Sequence, residues 1–269
     1  QAVQDHLTTC FESIDKLQFE PDLTISAMLS AEKEVVPFAR PIDPRGKPVE
    51  HWLSEVERAM RESVRAQITA AIRDYPTRPR TEWVFKWPGQ AVLTGSQYHW
   101  TMEVEAALRS EGLAGVRAYY EKLVGQLRDL VSLLHQPLNE RQRLVMEALI
   151  VLDVHARDVV ERLVQEECKS PSDFAWFCQM RYYMEEVTGN GNGQIQLPQG
   201  MSPGPALYVQ MVQSRFPYSY EYLGNTSRLV ITPLTDRCYI TLMTALQLHM
   251  GGSPQGPAGT GKVHLPLER

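Results

Sequence analysis

Gly256-Pro257-Ala258-Gly259-Thr260-Gly261-Lys262 lies close to the C-terminal end of this 269-residue sequence, and that placement restricts the fold more than any other feature. Two glycines enclosing four residues, the second followed by lysine, let backbone N–H groups converge on a polyphosphate. A fold built around such a loop places most of its residues after it, whereas here nearly all of them come before. The pattern also wants Ser or Thr after the lysine to hold Mg²⁺, and the chain has Val263, then Pro266 where the following helix would be growing. The body of the molecule must therefore be something other than a nucleotide-binding sheet. With Gln1 in place of an initiating Met, the sequence is expected to be a piece of a longer protein.

Hydrophobic periodicity says what that body is. From Val49 to about Asp74, residues Leu53, Val56, Met60, Val64, Ile68 and Ile72 share one helical face while Glu55, Glu57, Arg58, Arg61 and Glu62 occupy the other. Further helices are expected from Ala91 to about Arg109, Leu113 to Leu134, Asn139 to about Cys168, Ser172 to about Val187 and Asp236 to His249, the last with Thr235 as its cap. A short helix is expected within 1–20. Leu23–Leu29 and Val35–Phe38 read as a two-stranded hairpin, with Pro37 confining the second strand to an edge. Arg228–Pro233 reads as a brief strand. Residues 188–208, rich in Gly and Pro and without periodicity, read as a flexible insertion.

Charge narrows the functions. A net charge of -5 argues against nucleic acid or anionic membrane as bulk-charge partners, since both call for a basic face. No apolar run approaches a membrane span. Cys10, Cys168, Cys178 and Cys238 lack ligand spacing, so neither a zinc site nor a disulfide framework is suggested. Two clusters admit two readings each. Trp83, Trp87, Tyr98 and Trp100 are either a stacking surface for bases or sugars, or plugs at the junction of two helices, and packing is favoured. Asp153, His155 and Asp158 are either an acid–base or metal cluster, or structural; on a helix Asp153 and His155 point about 200° apart, so they cannot share a ligand.

Several runs together resemble one family. Tyr222-Leu223-Gly224-Asn225, Arg228-Leu229-Val230-Ile231-Thr232-Pro233-Leu234-Thr235-Asp236-Arg237-Cys238-Tyr239 and the GPAGTGK loop are similar to the start of the first AAA+ module of dynein heavy chains. Pro79-Arg80-Thr81-Glu82-Trp83, Trp87-Pro88-Gly89-Gln90 and Asp153–Val160 resemble motifs of the preceding linker, in an axonemal style. The resemblance implies a mainly α fold: multi-helix linker bundles with a small β-hairpin, followed by an incomplete P-loop (AAA+) segment. It divides the chain into a linker helical region at 1–187, the insertion at 188–208, the linker end with the start of the AAA+ module at 209–262, and a divergent tail at 263–269.

By the same resemblance, Leu229, Val230, Ile231, Thr232 and Pro233 would touch the adenine of ATP. Gly256, Gly259, Thr260, Gly261 and Lys262 would cradle its phosphates, with Lys262 reaching the β and γ oxygens. Mg²⁺ belongs to the full-length family context, because the hydroxyl that holds it is replaced by Val263. Implied partners are the rest of the AAA+ ring, dynein intermediate and light chains, and microtubules indirectly, with neither nucleic acid nor membrane. The implied location is the cytoplasm and cytoskeleton, at the ciliary axoneme. In the family the linker moves across the ring as the first module turns over ATP, driving minus-end-directed movement. The alternative is a catalytically inactive helical scaffold that binds dynein partners, and no ATP hydrolysis is expected from these 269 residues alone.

Overall fold

In the computed structural model, residues 4–188, 197–198, 200–225 and 230–256 are described. The elements run in the order α1 (Leu7–Cys10), β1 (Lys16–Phe19), β2 (Ile25–Leu29), β3 (Val35–Ile42), α2 (Val49–Asp74), α3 (Arg80–Lys86), α4 (Gly89–Ser110), α5 (Leu113–Leu134), α6 (Glu140–Gln165), α7 (Phe174–Phe177), β4 (Arg181–Val187), β5 (Gly204–Met211), β6 (Ser214–Pro217) and α8 (Pro233–Gln247). The mainly α architecture with small β elements agrees with the reading of the sequence.

The long helices form where the apolar period is strongest. In α2 the expected stripe is buried at Val56, Met60, Val64, Ile68 and Ile72, and α2 packs on both β3 and α4. In α6 all six expected positions, Val145, Leu149, Leu152, Ala156, Val159 and Leu163, are buried. Asn139 caps that helix in a reciprocal capping box with Gln142, satisfying two otherwise orphaned N–H groups. Helices α4, α5 and α6 pack against one another. The core divides along them. One cluster joins the first sheet, α2, α3 and the first half of α6; the other gathers Trp100, Val104, Val116, Tyr119, Val159, Leu163 and Trp176.

Several local expectations change. The first 20 residues hold only a short helix, and Leu17 belongs to β1, so the expected hairpin is a three-stranded antiparallel sheet in the order β1-β2-β3. Pro37 does lie on an edge strand. The aromatic stretch after Pro79 is a helix, α3. The helix expected at 172–187 is instead the one-turn α7 followed by β4, which pairs with β5 from Arg181↔Gln210 to Val187↔Gly204. Its apolar spacing fits a helix, but Tyr182 and Tyr183 suit a pleated sheet and the partner strand starts at Gly204, inside the Gly/Pro-rich stretch. The ordered β5 therefore takes up the last five residues of the expected insertion at 188–208, while 189–196 and 199 lie outside the described residues. No helix among the described residues is long and apolar enough to cross a membrane.

Candidate functional site

Helix α8 carries the described part of the candidate nucleotide segment. Its cap is Thr232, not the expected Thr235: the Thr235 N–H donates to Thr232 Oγ1 at 3.4 Å and the Thr232 N–H to Thr235 Oγ1 at 3.3 Å, a capping box. Pro233 then takes the first helical position, where its missing N–H costs nothing. The strand expected at 228–233 is not formed over 230–233, because the chain is already turning into this cap; Leu229 lies outside the described residues. Val230 is 70% exposed, Ile231 is half-buried against the first core, and Thr232 and Pro233 are exposed.

At its other end α8 closes with His249 in the left-handed region, φ 57°, and the Met250 N–H donating to the Ala245 carbonyl at 2.8 Å. The chain then folds back on the helix. Gly251–Pro254 line a cavity of about 370 Å³ together with Arg237, Thr241 and Leu242. Gly252 packs closely there: a Cβ would stand 2.2 Å from Leu242 Cδ2, and that side chain would have to swing aside. Gly256 is described and exposed; Gly259, Thr260, Gly261 and Lys262 lie outside the described residues.

None of the residues of α8 is fully buried, so its polar ties to the body matter. His155 Nε2 on α6 is 3.8 Å from Asp236 Oδ1 in the first turn of α8. Burial dominates both groups. It lowers the His155 pKa against the opposing pull of Asp236, and it raises that of Asp236 against the pull of His155 and Arg162. At the far end the Arg215 N–H donates to Gln247 Oε1 at 3.3 Å.

The other two members of the Asp/His/Asp cluster go elsewhere. Asp153 is buried and forms a bidentate pair with Arg80, Nη1–Oδ2 2.6 Å and Nη2–Oδ1 2.8 Å. Asp158 pairs with its neighbour Arg157. The three residues therefore serve three separate contacts. The tryptophans likewise do not share a surface. Trp83 is fully buried and donates from Nε1 to the Ala71 carbonyl at 2.9 Å, Trp87 donates to Asp74 Oδ2 at 2.9 Å, and Trp100 meets Trp176 edge-on at 5.0 Å.

What the sequence reading did not find is the anchorage of residues 218–225, the run that leads into α8. Gln90 Nε2 donates to the Glu221 carbonyl at 2.7 Å and to the Tyr218 hydroxyl at 2.9 Å, while its Oε1 accepts from the Leu223 N–H at 3.0 Å. Glu34 is buried beside it, and the Tyr222 hydroxyl donates to its Oε2 at 2.7 Å. The signal was present in Trp87-Pro88-Gly89-Gln90, but a glutamine's partner more than a hundred residues away leaves no mark on local spacing.

Two family descriptions match this chain at opposite ends. Residues 1–71 match "Dynein heavy chain, N-terminal region 2", and residues 218–264 match "Hydrolytic ATP binding site of dynein motor region". Among curated relatives, human dynein axonemal heavy chain 1 is 50% identical over 262 residues, which is 97% of this chain and 6% of that protein. Mouse dynein axonemal heavy chain 3 is 45% identical over 264 residues, again 97% of this chain and 6% of the relative. Human dynein axonemal heavy chain 12 is 44% identical, with 8% of its length covered. The chain thus spans only a small fraction of the relatives it matches. The two family descriptions and these matches over nearly the whole chain agree: the chain belongs to the dynein heavy-chain family, of the axonemal type.

Proposed function

We propose that these residues form the junction between the mechanical linker of an axonemal dynein heavy chain and its first ATPase module. The 218–225 run, inside the region matched to an ATP-binding site, is hydrogen-bonded to helix α4 through Gln90 and to the first sheet through Glu34. That observation carries the reading, because a joint that transmits displacement must be stiff where it meets both parts. In this reading Leu229–Pro233 contact the adenine, the N–H groups of Gly259–Lys262 cradle the phosphates and Lys262 reaches the β and γ oxygens. The remaining partners are the rest of the AAA+ ring, the intermediate and light chains through the full heavy chain and, indirectly, microtubules of the ciliary axoneme.

The 269-residue chain by itself is expected to bind ATP weakly and not to turn it over, since Val263 supplies no hydroxyl for Mg²⁺. Titration with a fluorescent ATP analogue, with and without Mg²⁺, checks this: Lys262→Ala should weaken binding roughly tenfold. Magnesium-dependent hydrolysis by the purified chain, abolished in that variant, would overturn the inactive assignment. In a heavy chain carrying residues 1–262 followed by threonine in place of Val263, Lys262→Ala should slow microtubule gliding more than about tenfold; unchanged gliding would remove the nucleotide role of the loop.

A further inference from the structure

The first sheet and the start of α4 converge on residues 222–225 through one buried carboxylate. The turn Ser30–Glu34 places it: the Ser30 N–H donates to the Glu34 carbonyl at 3.0 Å, the Glu34 N–H to Ser30 Oγ at 3.2 Å, and Lys33 adopts φ 62° to close the turn. The Glu34 side chain then points inward and is 1% exposed. Its Oε1 accepts from the Gly89 N–H at 2.9 Å and from Asn225 Nδ2 at 3.0 Å, and its Oε2 from the Tyr222 hydroxyl at 2.7 Å. Gly89 is the first residue of α4, so the carboxylate also sits at the positive end of a 22-residue helix. Among the described residues no lysine or arginine pairs with it. Three hydrogen bonds converge on the carboxylate at a helix terminus.

The fit around it leaves no slack. A Cβ on Gly89 would stand 1.6 Å from Asn225 Oδ1 and 3.0 Å from Val145 Cγ2. Gly224 turns the chain in the left-handed region at φ 61°, bringing Asn225 back towards the carboxylate. Gln90, the next residue of α4, bonds the backbone at both Glu221 and Leu223. Asn225 stands four residues before Leu229, where the proposed adenine contact begins.

We infer that Glu34 is a positioning residue for the nucleotide site, the acceptor that locks 222–225 to α4 and the first sheet so that displacement of the nucleotide segment is carried into the linker. The inference rests on the motor reading above. A buried carboxylate without a cation is a costly way to fill space, and an apolar side chain would fill it more cheaply. What the carboxylate adds is direction: three donors from two separate parts of the chain must arrive at fixed angles. A polar network in a dry site, satisfied here at the carboxylate though not at Asn225 Oδ1, either holds or comes apart as a unit, which suits a joint with two settings better than a greasy contact that slides.

The test uses Glu34→Leu, which strands three donors, and the milder Gln90→Ala, which removes the adjacent backbone bonds without unpairing the carboxylate. Asp153→Ala serves as a control, destabilising the bundle without touching 218–225. By hydrogen exchange on the 269-residue chain, both variants should speed exchange across 218–225 by roughly tenfold, with α5 and α6 changed less than about twofold. In a heavy chain carrying residues 1–262 followed by threonine in place of Val263, gliding velocity per ATP hydrolysed should fall at least about fivefold in both variants and stay unchanged in Asp153→Ala, a ratio that lost stability alone does not move. Unchanged exchange in either variant, or a wild-type ratio of velocity to hydrolysis in a working motor, overturns the inference. A wild-type heavy chain that neither hydrolyses ATP nor moves microtubules overturns the motor reading instead.

Discussion

Arg80 and Asp153 show what one buried pair asks of its surroundings. Both side chains are nearly inaccessible. Burial alone would lower the Arg80 pKa, but the Asp153 charge and hydrogen bonds raise it, so the guanidinium stays charged. Removing one partner is then far worse than never having had the pair. Asp153→Ala is expected to cost about 3–5 kcal/mol by leaving a guanidinium unpaired, and the double apolar replacement Arg80→Met with Asp153→Leu to cost much less; urea unfolding of the three proteins checks the order. Asp74 is a different kind of group, a half-buried hub that gathers several donors. Burial pulls its pKa upward, but bonds from Trp87, Arg78, Lys86 and Thr77 outweigh that and hold it well below the usual carboxylate range. Its folded value lies below the unfolded value of about 3.9, so its contribution is present above that pH and lost as pH falls further. Asp74→Asn should therefore flatten the acid limb of a melting-temperature profile and leave its slope near pH 7 unchanged.

Element by element, steric detail decides cases that propensity would get wrong. Gly115 lies in the first turn of α5, where Ala is ordinarily favoured by about 1 kcal/mol. Here a Cβ would meet the Ala107 carbonyl oxygen at 2.7 Å and Glu111 Cβ at 3.1 Å, and the first of these is backbone that cannot swing aside. Gly115→Ala is expected to be net destabilising by about 1–2 kcal/mol, measured by chemical denaturation. At the end of α8 the sign reverses: His249 holds a left-handed conformation that glycine adopts freely, so His249→Gly should strengthen that terminus by about 1 kcal/mol, seen as slower exchange of the Met250 amide. The elements that were legible in the sequence share one property. Helices α2, α5 and α6 each repeat an apolar stripe over six or more turns, so local pattern and tertiary packing agree. Strand β4 was not legible, because its partner begins within a Gly/Pro-rich stretch and its apolar residues happen to fit a helical spacing. Nor was the anchorage of 218–225, since Glu34 sits in a charged Ala31-Glu32-Lys33-Glu34 run that reads as a solvated turn. The capping residue of α8 was displaced by three positions because Thr232 and Thr235 are both competent caps and only the proline between them chooses.

For the molecule as a whole, protection should follow the two cores. Helices α4 and α6 contribute to both clusters, whereas α8 buries no residue and is tied by His155–Asp236 and Arg215–Gln247. Hydrogen exchange is expected to be slowest in the middle of α4 and α6 and fastest in α8 and Gly251–Gly256, by several orders of magnitude; equal protection throughout would mean that α8 is held by contacts stronger than these. The Glu34 joint also has a consequence in time. Its bond to Asn225 spans 191 residues, and a ribosome adding 5–20 residues per second needs roughly 10–40 s to cover such a distance. For most of that interval the only distant partner made for the carboxylate is the Gly89 N–H, 55 residues on, and the first sheet must wait, half-finished and open to water, for the stretch of chain that will close over it.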